Sequence, residues 1–208
     1  MNIDSYELLS GERVVPVVVL DNPTHGIQLA HLFQKYGLNS IEITLRTEAA
    51  LPAIEAIHKA VPELLIGAGS IRTADQVHAA RAAGAQFLVS PGFSQPVYQA
   101  AVDTGTPWVP GTATASEVMQ CMDLGIQLVK FFPAQMNGGA AMIKAIGEPL
   151  PEARFFPTGG VNLDLLDDYL SLANVTCVGG SWLARKEWLD AGQFDKVEEQ
   201  LKRLPTSD

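Results

Sequence analysis

Short apolar runs alternate with helical stretches along almost the whole chain, and this alternation constrains the fold more than any other feature. The runs recur about every 22 to 25 residues and occur at 14–20, 40–46, 64–70, 87–91, 107–111, 128–133, 154–158 and 175–180. Stretches with helical spacing lie at 24–36, 48–60, 73–83, 94–104, 114–124, 137–147, 162–171 and 193–204. Strand followed by helix, eight times over, predicts a parallel sheet.

Eight such units with right-handed crossovers close naturally into a (β/α)8 TIM barrel. The length of 208 residues lies at the compact end of that fold's range. A doubly wound open sheet is the structural alternative. We predict one α/β domain over residues 1–208, with a short N-terminal helical segment at about 2–11.

Charge and cysteine content exclude several classes of function. The formal charge is −9, from 23 acidic and 14 basic residues without a basic cluster, so a nucleic-acid backbone would be repelled. No apolar run approaches the roughly 20 residues that span a bilayer. Cys121 and Cys177 stand far apart without a partner motif, as is typical of core residues in a reducing compartment. We expect a soluble, cytoplasmic protein.

Polar side chains share one parity in the second predicted strand. Glu42, Thr44 and Arg46 alternate with apolar residues and would therefore face the interior of a barrel, where the active site lies at the carboxyl ends of the strands. Lys130 interrupts the apolar run "LVKFFPA" (128–134) and has the inward parity of Leu128. This shared inward parity makes Glu42 a candidate neighbour of Lys130 inside the barrel.

A lysine in such a place has a chemical use. Burial disfavours the ammonium form, and a neutral amine is a nucleophile toward ketones. An inward carboxylate for proton transfer and an arginine for a substrate carboxylate complete the set that a carbonyl lyase needs. The structural alternative is a buried ion pair with Glu42, or a lysine that extends to the rim.

Two glycine pairs follow the seventh and eighth predicted strands, in "PTGG" (157–160) and "GGSW" (179–182). In barrels these two loops often hold phosphate, because glycine lets backbone N–H groups approach the anion. Gly159, Gly160, Gly180 and Ser181 are the candidates. The alternative is that the glycines only turn the chain.

The motifs "EITLRT" (42–47), "GAGS" (67–70), "SPG" (90–92), "VKFFPA" (129–134), "PTGG" and "GGSW" occur in this order over residues 14 to about 190. Together they resemble the bifunctional family of 2-keto-3-deoxy-6-phosphogluconate (KDPG) aldolase and 4-hydroxy-2-oxoglutarate (KHG) aldolase. The resemblance implies a metal-free class I lyase, without a cofactor and usually homotrimeric. Such enzymes cleave KDPG to pyruvate and glyceraldehyde 3-phosphate in the Entner–Doudoroff pathway.

The resemblance also implies residue roles. Lys130 would form the Schiff base, Glu42 would be the acid/base, acting partly through water, and Arg46 would bind the pyruvyl carboxylate. Thr158 would bind a substrate hydroxyl, with Gly159, Gly160 and Ser181 around the phosphate. The family commonly has "GAGT" where this chain has Ser70, which should retain the hydrogen bonding of the hydroxyl with looser packing.

Other polar residues are weaker candidates. His31, His58 and His78 fall on helical stretches without a common spacing and are interpreted as surface or packing residues, and a turn role is favoured for His25. Pro91 and Phe132 are predicted to form the pocket wall, with ordinary packing as the alternative. No cluster of His, Asp and Glu has the spacing of a metal site, which disfavours a divalent-metal aldolase.

Three alternatives remain open from the sequence. The first is 2-dehydro-3-deoxy-6-phosphogalactonate aldolase, with the same chemistry and the other configuration at C4, although the arginine in "TLR" favours the gluconate substrate. The second is a noncovalent phosphosugar isomerase or epimerase on the same barrel. The third is a catalytically inactive binding or scaffold protein, which would not need Lys130, Glu42 and Arg46 on inward positions.

Overall fold

Strands lie at all eight predicted positions in the computed structural model, which describes residues 4–205. They are β1 (Val14–Val18), β2 (Ser40–Thr44), β3 (Leu65–Gly69), β4 (Phe87–Val89), β5 (Trp108–Val109), β6 (Gly111–Thr112), β7 (Leu128–Phe131), β8 (Arg154–Pro157) and β9 (Val178–Gly180). The fifth predicted strand is divided into β5 and β6 at Pro110, because proline has no N–H to donate to a ladder.

Helices occupy the stretches that have helical spacing. They are α1 (Ser5–Leu9), α2 (Pro23–Lys35), α3 (Ala50–Ala60), α4 (Ala74–Ala82), α5 (Gln95–Thr104), α6 (Ala115–Asp123), α7 (Gly139–Gly147), α8 (Leu166–Leu170), α9 (Lys186–Asp190) and α10 (Phe194–Leu201). α1 lies within the predicted segment at 2–11, of which residues 2 and 3 are outside the described residues. A 3-10 turn at Leu163–Leu165 precedes α8, and α9 was not predicted.

The strands form a curled parallel sheet in two parts. One part has the order β5-β4-β3-β2-β1-β9 and the other the order β6-β7-β8. Two isolated parallel bridges, Phe155 with Val175 and Thr158 with Gly179, connect β8 to the segment of β9. These ladders show the predicted α/β class, but they do not by themselves make the closed (β/α)8 barrel predicted from the sequence.

Side-chain parity divides the core into two clusters. Ile41, Ile43, Val129 and Phe131 belong to the larger cluster between the sheet and the helices. The smaller cluster lies on the inner side of the curled sheet and joins residues from both parts with one from α1: Leu9, Val15, Phe87, Val89, Val109, Leu128, Phe156 and Cys177. The predicted parity of β2 and β7 is therefore confirmed, since Ile41, Ile43 and Val129 pack against helices and Leu128 faces inward.

Both cysteines are buried and free, as predicted for core residues. Burial raises the pKa of Cys121 to about 12 and that of Cys177 well above its usual range, so both thiols stay protonated near neutral pH. Between residues 4 and 205, no helix has the length and apolar character needed to cross a membrane.

Candidate active site

Lys130 on β7 and Glu42 on β2 meet inside the curled sheet. The Lys130 side chain is 8% exposed and that of Glu42 is fully buried, and Lys130 Nζ lies 3.7 Å from Glu42 Oε1. Nζ also lies 5.2 Å from the centroid of the Phe132 ring. The predicted proximity of the two side chains is confirmed, and it gives an amine and a carboxylate in surroundings that exclude most water.

The Glu42 carboxylate is unusual because it is buried without a hydrogen bond. Among the described residues, neither of its oxygens has a hydrogen-bond partner, and the 3.7 Å to Lys130 is an ion-pair distance only. Buried carboxylates in proteins normally accept several hydrogen bonds, and leaving them unpaired costs free energy. Such a cost is characteristic of a group that is retained for chemistry.

Arg46 lies at the rim of the site, beyond the end of β2. Its side chain is exposed, and its Nε donates a 3.2 Å hydrogen bond to Thr44 Oγ1. Thr44 is buried and donates in turn to the Val18 carbonyl at 3.1 Å. The predicted strand 40–46 thus ends at Thr44, and of the three predicted inward side chains only Glu42 and Thr44 are buried. The Nη groups of Arg46 can donate to an anion while Thr44 holds Nε.

Ser70 directly follows β3 and has a backbone φ of +60°, in the left-handed region that residues other than glycine seldom adopt. A β-branched residue is still less tolerant of that conformation than serine. Serine therefore has lower backbone strain at this position than threonine would have, and the looser packing expected from the missing methyl group stays a prediction. Ser70 is half-buried, at the carboxyl end of the strand that neighbours β2.

Phe132 directly follows the strand that carries Lys130, and Pro91 lies against Gly111 of the neighbouring β6. Phe132 is half-buried and its ring lies beside Nζ, whereas Pro91 is exposed. A Cβ built on Gly111 would lie 2.3 Å from the Pro91 carbonyl carbon, and Gly111 is the register partner of Lys130. The backbone at Pro91 therefore lies against β6 only because position 111 is glycine, a contact that sequence reasoning missed.

Thr158 and the following glycines form the loop after β8. Thr158 is buried, and its Oγ1 has no hydrogen-bond partner among the described residues. Gly159 and Gly160 have φ values of +98° and +79°, and Gly159 O accepts a 3.0 Å hydrogen bond from the Gln135 amide. The backbone conformation therefore requires glycine at both positions. A tight turn alone would explain these glycines, and an anion-binding loop would need them as well.

Gly179 and Gly180 are the last two residues of β9, and Ser181 begins the loop after it. Gly180 is buried at the end of β9, and a Cβ there would meet Val14 Cγ1 at 2.8 Å, so packing against β1 already explains this glycine. Ser181 is exposed. A Cβ on Gly179 would lie 2.2 Å from Thr158 Oγ1, so Gly179 makes the room for that side chain. Sequence reasoning missed this role, for which the doubled glycine was the available signal.

The histidines lie outside this constellation. His31, His58 and His78 are exposed, as predicted. The turn role favoured for His25 is wrong, because His25 lies in the first turn of α2, half-buried, and its ring packs edge-on against the Phe194 ring with 5.2 Å between the centroids. Across residues 4–205, no group of three His, Cys, Asp or Glu side chains could hold a metal ion.

Two cavities lie at the opposite, amino-terminal ends of the strands. A cavity of about 200 Å³ is bordered by Thr106 and Pro107 before β5, and one of about 500 Å³ by Arg13 and Leu38 before β1 and β2. Neither is lined by Lys130 or a residue of the constellation around it. The candidate site is instead the region of Lys130 and Glu42, with Ser70 and Thr158 directly after the carboxyl ends of β3 and β8.

A family model described as "Aldolase: KDPG and KHG aldolase" matches residues 6–200, which places the chain among the aldolases. The chain belongs to the KDPG and KHG aldolase family. It is 43% identical over 190 residues to the KHG/KDPG aldolase of Escherichia coli (strain K12), covering 91% of this chain and 89% of that protein. It is 42% identical over 191 residues to the 2-dehydro-3-deoxy-phosphogluconate aldolase of Dickeya dadantii, covering 92% and 90%.

Among solved structures, the KDPG aldolase of Legionella pneumophila superposes with a TM-score of 0.93 at 35% identity, covering 99% of this chain and all of that one. That structure contains pyruvate captured at low pH as a covalent carbinolamine intermediate. The family resemblance expected from the motifs is confirmed.

Proposed function

We propose that this protein is a class I aldolase that cleaves KDPG to pyruvate and glyceraldehyde 3-phosphate, and KHG to pyruvate and glyoxylate. The observation that carries the proposal is the buried pair of Lys130 Nζ and Glu42 Oε1, 3.7 Å apart, with no hydrogen bond to either carboxylate oxygen among the described residues. This pair supplies a nucleophilic amine and a proton acceptor side by side.

The reaction follows from the two groups. The Lys130 amine adds to the C2 ketone to give a carbinolamine, which loses water and becomes a protonated imine. Glu42, directly or through a water molecule, takes the proton of the C4 hydroxyl. The C3–C4 bond then breaks, its electron pair moves into the imine to give an enamine, and the aldehyde leaves. Protonation of the enamine at C3 and hydrolysis of the imine release pyruvate and free Lys130.

The rim residues bind the substrate carboxylate in this proposal. Arg46, held at Nε by Thr44, offers its Nη groups to the carboxylate in a charge-assisted contact. Ser70 donates its hydroxyl to the pyruvyl end, and Pro91 and Phe132 form the wall beside the imine. The basis for the wall is the position of the Phe132 ring beside Nζ and the close approach of Pro91 to Gly111.

The far end of the substrate lies at the loops after β8 and β9. Thr158 binds a substrate hydroxyl with Oγ1, which has no other partner among the described residues. Amides near Gly159, Gly160, Gly180 and Ser181 hold the phosphate. Support for this site comes from the left-handed conformations of Gly159 and Gly160, since consecutive turns of this kind can direct backbone N–H groups toward one anion.

We further propose that the strands close into one (β/α)8 barrel and that residues 1–208 are a single domain. The chain runs directly from β5 through Pro110 into β6, and the Lys130 amide donates to Pro110 O at 2.8 Å. At the other junction, an isolated bridge joins Thr158, directly after β8, to Gly179 of β9. The inner cluster, with residues from both parts of the sheet, fits a closed interior.

We propose a homotrimer in the cytoplasm. The exposed side chains of Val102, Met119 and Met142 offer apolar surface that an assembly could cover, and two free cysteines suit a reducing compartment. Light scattering should give three times the chain mass of 22.3 kDa. A mass of one chain in dilute solution would contradict the trimer.

Borohydride trapping tests the function. Pyruvate with borohydride should add a permanent three-carbon adduct at Lys130, located by peptide mapping, and Lys130→Met should remain unmodified. An unmodified native protein, or an adduct on the exposed Lys144 instead, would refute the assignment of Lys130. The unmodified protein would also favour a noncovalent isomerase. Cleavage assays with KDPG and its C4 epimer then distinguish the gluconate from the galactonate substrate.

A further inference from the structure

Gly69, the last residue of β3, borders the Glu42 carboxylate. A Cβ built on Gly69 would lie 2.0 Å from Glu42 Oε1 and 2.7 Å from Cδ. A contact under 3.0 Å requires one of the two groups to move. The space that the carboxylate occupies therefore exists because residue 69 has no side chain.

The backbone of Gly69 is less free to move than the carboxylate. Gly69 O accepts a 2.8 Å hydrogen bond from the Leu45 amide, and Gly69 is the register partner of Thr44 in the ladder of β2 and β3. Its φ is outside the left-handed region, so an alanine would meet no backbone strain. An added methyl group would therefore displace the carboxylate while β3 stays in place.

Hydrogen bonds do not resist that displacement. In the described part of the chain, both Glu42 oxygens lack a hydrogen-bond partner, and the ion pair with Lys130 at 3.7 Å is a loose contact. The position of the carboxylate is set by packing, and Gly69 is part of the wall against which it packs. A carboxylate that is held by packing alone moves when the packing around it changes.

We propose that Gly69 is a positioning residue for proton transfer, which it sets by fixing the distance of the Glu42 carboxylate from the Lys130 amine and from the bound substrate. The inference rests on the proposed aldolase function. Restoring ordinary contact in Gly69→Ala moves the carboxylate by more than about 1 Å, and a misplacement of that size costs on the order of 10²-fold in rate. The loss falls on kcat, because the groups that bind the substrate carboxylate and phosphate lie elsewhere.

A double-mutant cycle between Gly69→Ala and Glu42→Ala tests the proposal. Alone, Gly69→Ala should lower kcat for KDPG cleavage on the order of 10²-fold with KM changed only a few-fold. In the Glu42→Ala background it should have almost no further effect, because the carboxylate that it displaces is absent. Equal effects of Gly69→Ala in both backgrounds would overturn the proposal.

Gly67→Ala is the matched control in the same strand. Gly67 is the register partner of Glu42, but the three nearest atoms to a Cβ at Gly67 all belong to the Phe87 ring, the closest at 2.2 Å, so this change crowds the inner core first. Its effect on kcat should be the same with and without Glu42, in contrast to that of Gly69→Ala. If Gly67→Ala were coupled to Glu42 as strongly as Gly69→Ala is, crowding anywhere in β3 would have the same result. That outcome would also overturn the proposal.

Folding and the underlying function are checked separately. Circular dichroism reports whether each variant folds. If Gly69→Ala fails to fold while the double variant with Glu42→Ala does fold, the contact with the carboxylate is confirmed directly. If neither folds, Gly69 serves the fold alone and the inference is wrong. Failure of the native protein to form a pyruvate adduct at Lys130 would refute the aldolase function. If the native protein forms the adduct but the effects of Gly69→Ala and Glu42→Ala are independent, only the role of Gly69 is refuted.

Discussion

Replacement of Glu42 by glutamine gives the sharpest test of the proposed chemistry. The amide has the shape of the carboxylate, and no hydrogen bond to Glu42 is lost among the described residues. What disappears is the proton acceptor and its charge. A positioned acid/base contributes about 10²–10⁴-fold, or about 3–5 kcal/mol of activation free energy.

The structure favours the upper part of that range. Glu42 is fully buried and Lys130 nearly so, which leaves little bulk water to take over the proton transfer. We therefore expect kcat for KDPG cleavage to fall by roughly 10³–10⁴-fold, while pyruvate adduct formation at Lys130 stays detectable. Pyruvate release can be followed through a coupled lactate dehydrogenase assay, and the adduct by borohydride and intact-protein mass.

The matched control is Glu48→Gln, the same chemical change at an exposed carboxylate six residues further along the chain. It should leave kcat and thermal stability unchanged. A loss of less than about 10-fold in Glu42→Gln, with the protein folded, would refute Glu42 as the acid/base. Complete loss of the adduct would instead show that Glu42 is needed to form the imine.

Three further perturbations test other parts of the site and fold. Arg46→Ala should raise KM for KDPG and for pyruvate trapping far more than it lowers kcat, because it removes a charge-assisted carboxylate contact; equal small effects on both would place Arg46 outside the site. The native protein should prefer phosphorylated over unphosphorylated 2-keto-3-deoxygluconate in kcat/KM, and Gly160→Val should lose most of that preference if it folds; no native preference would refute the phosphate site and make KHG the main substrate. On the surface, hydrogen bonds from Lys35 and Tyr36 lower the pKa of Glu198 to about 2 from an ordinary 4.5. Its stabilising contribution is therefore fully present above pH 4.5 and lost as the pH falls through about 2, so the Tm advantage over Glu198→Gln should shrink over that window.

Much of the fold and half of the site could be predicted from local pattern. Alternation in β2 and β7 placed Glu42 and Lys130 on the inner side, because successive side chains of a strand point to opposite faces whatever surrounds it. The strand and helix positions followed from the same periodicities. The N-terminal segment was predicted as a helix, and α1 contributes Leu9 to the inner cluster. These features depend on residues that are close together in the sequence, and the sequence alone therefore predicts them.

Contacts between distant strands could be read only from the tertiary structure. The interruption of the fifth strand at Pro110, the exposure of Arg46 and the packing of Gly180 against Val14 depend on register and on where each strand ends. The roles of Gly69 and Gly179 depend on which side chain of a neighbouring strand enters the space that each leaves open. Periodicity determines the face that a residue occupies, while the free energy of packing between strands determines what that residue touches there.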